Sequence, residues 1–262
     1  YEGTLGEDGT IEGTWSQGGA SLGLDLEKTP SEQGPPRPQH PERPFPYQSL
    51  DVRYPNAESG NELAGTLTIP EGPGPFPAVV LISGSGPEDR DETVYGHKPF
   101  AVIADHFTRA GIAVLRFDDR GVGESSGDHG SATSEDFATD VLAGVEFLLG
   151  RSDIDPGRIG LVGHSEGGLI GPLAALRTEH VAFLVLMAGP GTTGERILFD
   201  QGELIVRASG LGQVAVDQQR STQEGLFEAT RSLEGPALET RVREILSPAM
   251  VGASQEQQDA FV

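Results

Sequence analysis

Ile159-Gly160-Leu161-Val162-Gly163-His164-Ser165-Glu166-Gly167-Gly168, continued by Leu169-Ile170-Gly171-Pro172-Leu173-Ala174-Ala175-Leu176, reads as a buried strand, a sharp turn and a helix start. A serine at such a bend is held in strained backbone angles, and side chains two positions away would collide, so Gly163 and Gly167 fit there. The bend would lift the hydroxyl of Ser165 above the sheet. The helix N-terminus behind it would offer unpaired N–H groups to a developing oxyanion. The pattern G-x-S-x-G alone says little in a chain with 37 glycines among 262 residues. Gly19-Ala20-Ser21-Leu22-Gly23 sits in a polar, strand-like segment with no helix behind it. Gly123-Glu124-Ser125-Ser126-Gly127 runs into Asp128-His129-Gly130, which is loop chemistry. Only Ser165 has an apolar run before it and a helix-forming run after it. The competing reading is a tight glycine-rich turn carrying an ordinary serine.

Outward from this stretch the periodicity alternates. Strands are expected at 49–54, 62–69, 78–82, 112–117, 159–162 and 181–187, the last four as near-continuous apolar runs covered on both faces. Phe100, Ile103, Phe107 and Ala110 mark one amphipathic helix. Phe137, Val141, Val145 and Leu148 mark another, with Ser134 as its N-cap. This order predicts an open, mostly parallel sheet whose first hairpin is antiparallel. Residues 195–262 keep helical spacing and contain no further strand, which predicts a helical lid over the sheet end, with Ile197, Leu198, Leu204 and Ile205 either shaping a pocket beneath it or serving as plain packing residues.

The front of the chain differs. Residues 1–28 repeat Glu2-Gly3-Thr4-Leu5 as Glu12-Gly13-Thr14-Trp15 across Glu7-Asp8-Gly9, a hairpin signal, and read as the tail of a β domain. Thr29 to Pro46 holds seven prolines and reads as a semi-extended linker. The α/β core is therefore expected at 47–194 and the lid at 195–262.

Composition excludes several classes. A net charge of −22, with Lys28 and Lys98 the only lysines, disfavours nucleic acid as a partner. The chain has no cysteine, so thiolate catalysis and Cys-based metal sites are excluded. Its absence fits an exported (periplasmic or secreted) protein and a cytosolic one equally. The run Val181 to Ala188 is too short to span a bilayer. No phosphate-loop or dinucleotide spacing is present and no histidine pair has zinc-ligand spacing, so neither cofactor nor metal is expected.

Leu81-Ile82-Ser83-Gly84-Ser85-Gly86-Pro87 follows a strand whose carboxyl end is where open α/β sheets bind ligands. The Ser85 and Glu166 N–H groups form the candidate oxyanion hole, with Gly86 the nearest alternative. Asp118-Asp119-Arg120 reads as loop bracing by ion pairs, with phosphate or metal binding as the alternative. A serine needs a base, but the histidines offer none clearly. The His164 side chain should point away from Ser165, His180 lies at the opposite sheet edge, His106 is in a helix and His40 in the linker. His97 and His129 are on loops at the correct edge.

Together, Leu81 to Asp91, Val114-Leu115-Arg116-Phe117-Asp118-Asp119-Arg120-Gly121-Val122-Gly123 and Gly163 to Gly168 resemble the α/β-hydrolase superfamily, closest to bacterial carboxylesterases with an N-terminal β domain. The resemblance covers roughly residues 48 to 195 and implies a serine carboxylesterase with a triad in the order serine, acid, histidine. The acid and histidine would lie on strands beyond the lid. The expectation is therefore that C-terminal strands are missing from this chain, and that a C-terminal segment or second chain supplies them. A serine peptidase or amidase on the same fold, and a non-catalytic hydrolase-like binding module, are the rival readings.

Overall fold

The computed structural model describes residues 2–6, 10–17, 20–27 and 36–247. The Glu7-Asp8-Gly9 turn, the first part of the proline-rich stretch and the end of the expected lid lie outside the described residues. The chain divides into two compact units, one of residues 33–191 and one of residues 1–32 with 192–262.

In the larger unit the elements are β4 (Gln48–Pro55), β5 (Glu62–Ile69), β6 (Phe76–Ile82), α1 (Pro99–Arg109), β7 (Ala113–Phe117), α2 (Ser134–Leu149), β8 (Ile154–His164), α3 (Gly167–Ala175) and β9 (Val181–Met187). The strands form one sheet in the order β4-β5-β7-β6-β8-β9. Strand β5 runs antiparallel to β4 and β7, whereas the pairs β6–β7, β6–β8 and β8–β9 are parallel. This is the mostly parallel open sheet that the alternation predicts.

Period-two alternation along the central strands feeds two cores. Val80, Ile82, Leu115 and Leu161 pack with Val141, Val145 and Ile170 of α2 and α3. Val79, Leu81, Val114 and Val162 pack with Phe100 and Ala104 of α1 on the other face. Helices on both faces bury residues 78–82 of β6 and 159–163 of β8, and Ser83 and Ser165 follow the carboxyl ends of these strands.

Three details differ from the sequence reading. Strand β8 starts at Ile154 rather than Ile159, because Ile154 pairs with Phe76 ahead of an irregularity that Asp155-Pro156-Gly157 hides from a search for apolar runs. The N-cap of α2 is Thr133, not Ser134. The Thr133 side chain accepts from the Asp136 N–H, while the Asp136 carboxylate accepts from the Thr133 N–H at 2.8 Å. Strand β9 was expected to be covered on both faces, yet Phe183, Leu184, Val185 and Leu186 are all exposed. It stands last in the sheet order and pairs only with β8 among the described residues.

In the second unit, β1 (Glu2–Leu5), β2 (Thr10–Gln17) and β3 (Ala20–Glu27) form an antiparallel sheet in chain order. Its helices are α4 (Gly194–Ala208), α5 (Gln213–Ser232) and α6 (Gly235–Leu246). Phe199 and Phe227 meet edge to face at 5.2 Å between α4 and α5, and Gln223 Nε2 donates to the Leu198 carbonyl at 2.8 Å. Helix α6 buries no residue.

Candidate active site

Strand β8 ends at His164 and helix α3 begins at Gly167, so Ser165 and Glu166 make the whole turn. Ser165 takes a φ of 51°, a left-handed conformation that few side-chain-bearing residues adopt. Its N–H is tied to the Met187 carbonyl of β9 at 2.9 Å, and its carbonyl accepts from the Gly168 N–H at 2.9 Å. The bend closes because its neighbours lack side chains. A Cβ on Gly163 would lie 2.0 Å from the Gly167 carbonyl oxygen, and one on Gly167 would lie 2.3 Å from that of Ile82. Ser165 itself is partly exposed.

The loop after β6 packs directly on this bend. A Cβ on Gly84 would come 3.2 Å from the Ser165 Cβ. Ser85, the next residue, is exposed. Among the described residues, neither the Ser85 N–H nor the Glu166 N–H donates a hydrogen bond. The Gly84 N–H, in contrast, is taken by Glu92 Oε1 at 2.9 Å. The Ser85 and Glu166 amides thus have no acceptor among the described residues, the state an oxyanion donor needs.

Carboxylates brace the loop from beneath. Asp119 accepts from Ser83 Oγ at 2.8 Å and from the Glu88 N–H at 3.0 Å. Burial pushes its pKa up to about 7, against the opposing pull of those two hydrogen bonds. Burial would also raise the adjacent Asp118. There, hydrogen bonds from the Arg90 guanidinium (2.6 Å at Nη2) and from the Glu124 and Arg90 N–H groups win and hold its pKa below the ordinary value. Arg90 is raised in turn, chiefly by Asp118. Arg120 pairs with Asp140 at 2.7 Å, both buried. Asp118-Asp119-Arg120 therefore braces neighbouring loops and helix α2. Ser125, the serine of a second G-x-S-x-G copy, is buried and spends its hydroxyl on the Asp118 carbonyl at 2.7 Å.

The histidines are distributed as follows. His97 Nδ1 lies 3.1 Å from His40 Nε2, and the two rings stack. His129 packs at a tilt against Phe137 and lines a small cleft with Ser83, Gly84 and Asp119. His164 Nδ1 lies 2.6 Å from Glu92 Oε1. No side chain hydrogen-bonds to Ser165 Oγ among the described residues, nor do they hold any cluster of acids and histidines suited to a metal, or any helix long and apolar enough to cross a membrane.

Two partners of the site carried no sequence signal. Ser134 Oγ donates to Glu166 Oε1 at 2.6 Å, which fixes the side chain of the residue that follows Ser165. Glu92 sits in a turn with φ of 50°, and its reach to both Gly84 and His164 depends on that turn. Neither pairing follows a repeat or a spacing.

The family described as serine aminopeptidase, S33, matches residues 97–216, which include Ser165. Esterase EstD of Thermotoga maritima is 38% identical over 141 residues, covering 54% of this chain and 34% of that protein. A 2-hydroxy-6-oxononadienedioate/2-hydroxy-6-oxononatrienedioate hydrolase of Burkholderia vietnamiensis is 36% identical over 146 residues, covering 55% of this chain and 42% of its own. The chain thus spans about a third of the length of EstD. The solved Pyrococcus furiosus esterase Pf2001 superposes with a TM-score of 0.50 at 17% identity, covering 78% of each chain. With this sheet and these covering helices, the chain has the α/β-hydrolase fold, and its sequence is similar to hydrolases and esterases of that superfamily.

Proposed function

We propose that the protein is a serine hydrolase of small carboxylic esters, working through an acyl-enzyme. Ser165 Oγ attacks the acyl carbon, and the Ser85 and Glu166 amides hold the oxyanion of the tetrahedral intermediate. The alcohol leaves and water then releases the acid. A histidine and an acid, neither assigned among the described residues, take the proton and return it, since no described side chain hydrogen-bonds to Ser165 Oγ. No cofactor takes part in this scheme. The observation that carries the reading is the left-handed Ser165 at the strand-to-helix bend, with the loop after β6 packed against it. The likeness to EstD, an esterase by name, favours the ester over other acyl groups.

The match to the serine aminopeptidase family favours a second reading, an amidase or peptidase using the same residues. Parallel turnover of nitrophenyl acetate and of aminoacyl nitroanilides by the natural-length protein separates the two. Ser165→Ala should lower turnover by about 10⁴- to 10⁶-fold on whichever substrate is used. A fluorophosphonate should label Ser165 and nothing else. Absence of label on a folded protein rejects both enzymatic readings in favour of a binding module.

A further inference from the structure

We propose that Glu92 is a positioning residue of this site. One carboxylate oxygen holds the oxyanion loop at Gly84 and the elbow at His164, and so sets the gap between the Ser85 amide and Ser165. The proposal rests on the reading of Ser165 as nucleophile and Ser85 as oxyanion donor.

The geometry is direct. Glu92 Oε1 accepts from the Gly84 N–H at 2.9 Å and meets His164 Nδ1 at 2.6 Å. A proton on Nδ1 satisfies both contacts, because the oxygen already accepts from the amide. Gly84 immediately precedes Ser85, and His164 immediately precedes Ser165. Each bond therefore ends one residue from a reacting group. A mismatch of even 1 Å in such a gap can cost two orders of magnitude in rate.

The anchor is itself fixed. Glu92 is 7% exposed, and its N–H donates to the Asp89 carbonyl at 2.9 Å. Asp89 Oδ1 accepts from the Asp91 and Thr93 N–H groups at 2.9 and 3.1 Å. On one side Arg90 is bound to Asp118; on the other Asp91 pairs with Arg116 and, at 3.2 Å, with Lys98. The turn therefore cannot follow the loop or the elbow if either drifts. Glutamate is also a poor choice for a φ of 50°, where glycine or asparagine would sit with less strain. Its side chain, not its backbone, accounts for its place there.

The test uses the natural-length protein and a nitrophenyl ester. Glu92→Ala should lower kcat about 10- to 100-fold with KM changed less than about threefold, and slow fluorophosphonate labelling of Ser165 in proportion. Glu92→Gln keeps an oxygen for both partners and should recover kcat to within a few-fold of the parent. His164→Ala releases only the elbow arm and should cost less than Glu92→Ala, and the double variant should cost no more than Glu92→Ala alone. Additive losses, a loss carried by KM, or an unchanged kcat in Glu92→Ala would overturn the clamp. If Glu92→Ala fails to fold, Glu92→Gln and His164→Ala decide by the same kcat-against-KM split. Ser165→Ala run beside them keeps the two ideas apart. If it retains turnover, the nucleophile assignment has failed, whatever Glu92 does.

Discussion

The bend at Ser165 and the helices of residues 194–246 both use glycine and apolar side chains, yet they are held in different ways. At the bend, backbone meets backbone: the hypothetical Cβ atoms of Gly163 and Gly168 fall 2.0 Å from the Gly167 oxygen and 2.5 Å from the Gly189 Cα. Along the helices, only Phe199, Gly202, Val216 and Ala229 are buried, while Leu198, Leu204, Ile205 and Val214 stand exposed. Gly202 there faces the end of a flexible Gln223 side chain, which can yield. One region tolerates no added atom, and the other has room.

Adding a single methyl group tests this contrast most sharply. Gly163→Ala should destabilise the protein by about 3–5 kcal/mol or prevent folding, because neither backbone at the clash can move without opening the sheet. Gly194→Ala, at the start of α4 with nothing within 4 Å of its Cβ, should stabilise by about 0.4–1 kcal/mol. Denaturant midpoints of the two variants measure both. Equal effects would mean that the bend is as adaptable as the helix, and the reading of Ser165 as a rigidly presented nucleophile would lose its basis.

A second difference lies in charge. The ion pairs of α4, such as Arg196–Asp200 and Arg207–Glu203, are exposed and contribute little. Asp119, under the loop of the site, is buried with its pKa pushed from 3.8 up to about 7. Between those values the folded protein keeps a proton that the unfolded chain has released. Stability from this group is therefore greatest below about pH 4, falls as pH rises to about 7, and is level above. Burial raises Glu88 as well, which adds to the same slope. Asp119→Asn should flatten the fall by a few kcal/mol at most, read as the change in urea midpoint between pH 5 and pH 8. A parent protein with no loss of stability across that range would show Asp119 ionised in its buried site.

Much of this was legible in the sequence, for reasons that differ by element. Strands β6, β7 and β8 announce themselves because parallel strands buried on both faces must be continuous apolar runs. The bend at Ser165 is legible because its steric demand restricts the residue types on either side. Strand β9 carries the same apolar signature as the buried strands, so composition could not reveal that Phe183 to Leu186 are exposed; that follows from its place in the sheet order. Glu92 was illegible for another reason. Its two partners lie 8 and 72 residues away, and the bonds depend on a turn conformation that its residue type does not favour. The bracing role of Asp118 and Asp119 could be read from charges at a strand end, but not the opposite directions of their pKa shifts.

The smallest effect compares two threonines that cap helices in the two regions. Thr133, at the start of α2, gives and takes: its N–H and its hydroxyl both donate to the Asp136 carboxylate, at 2.8 and 2.7 Å, while its Oγ1 accepts from the Asp136 N–H. Thr193, at the start of α4, only accepts, from the Arg196 N–H at 3.4 Å. Reciprocal caps satisfy two orphan donors where a one-sided cap satisfies one. Thr133→Ala should therefore cost about 1 kcal/mol and Thr193→Ala a few tenths, both read as shifts in urea midpoint. The same hydrogen bonds, led by that from the Thr133 side chain, hold the Asp136 carboxyl below its ordinary pKa. The reciprocal part of the cap is present above about pH 4 and is lost as pH falls through the lowered value. The gap between the two alanine variants should therefore narrow in acid, and a gap that stays constant down to pH 2 would mean that Asp136 adds nothing to the cap.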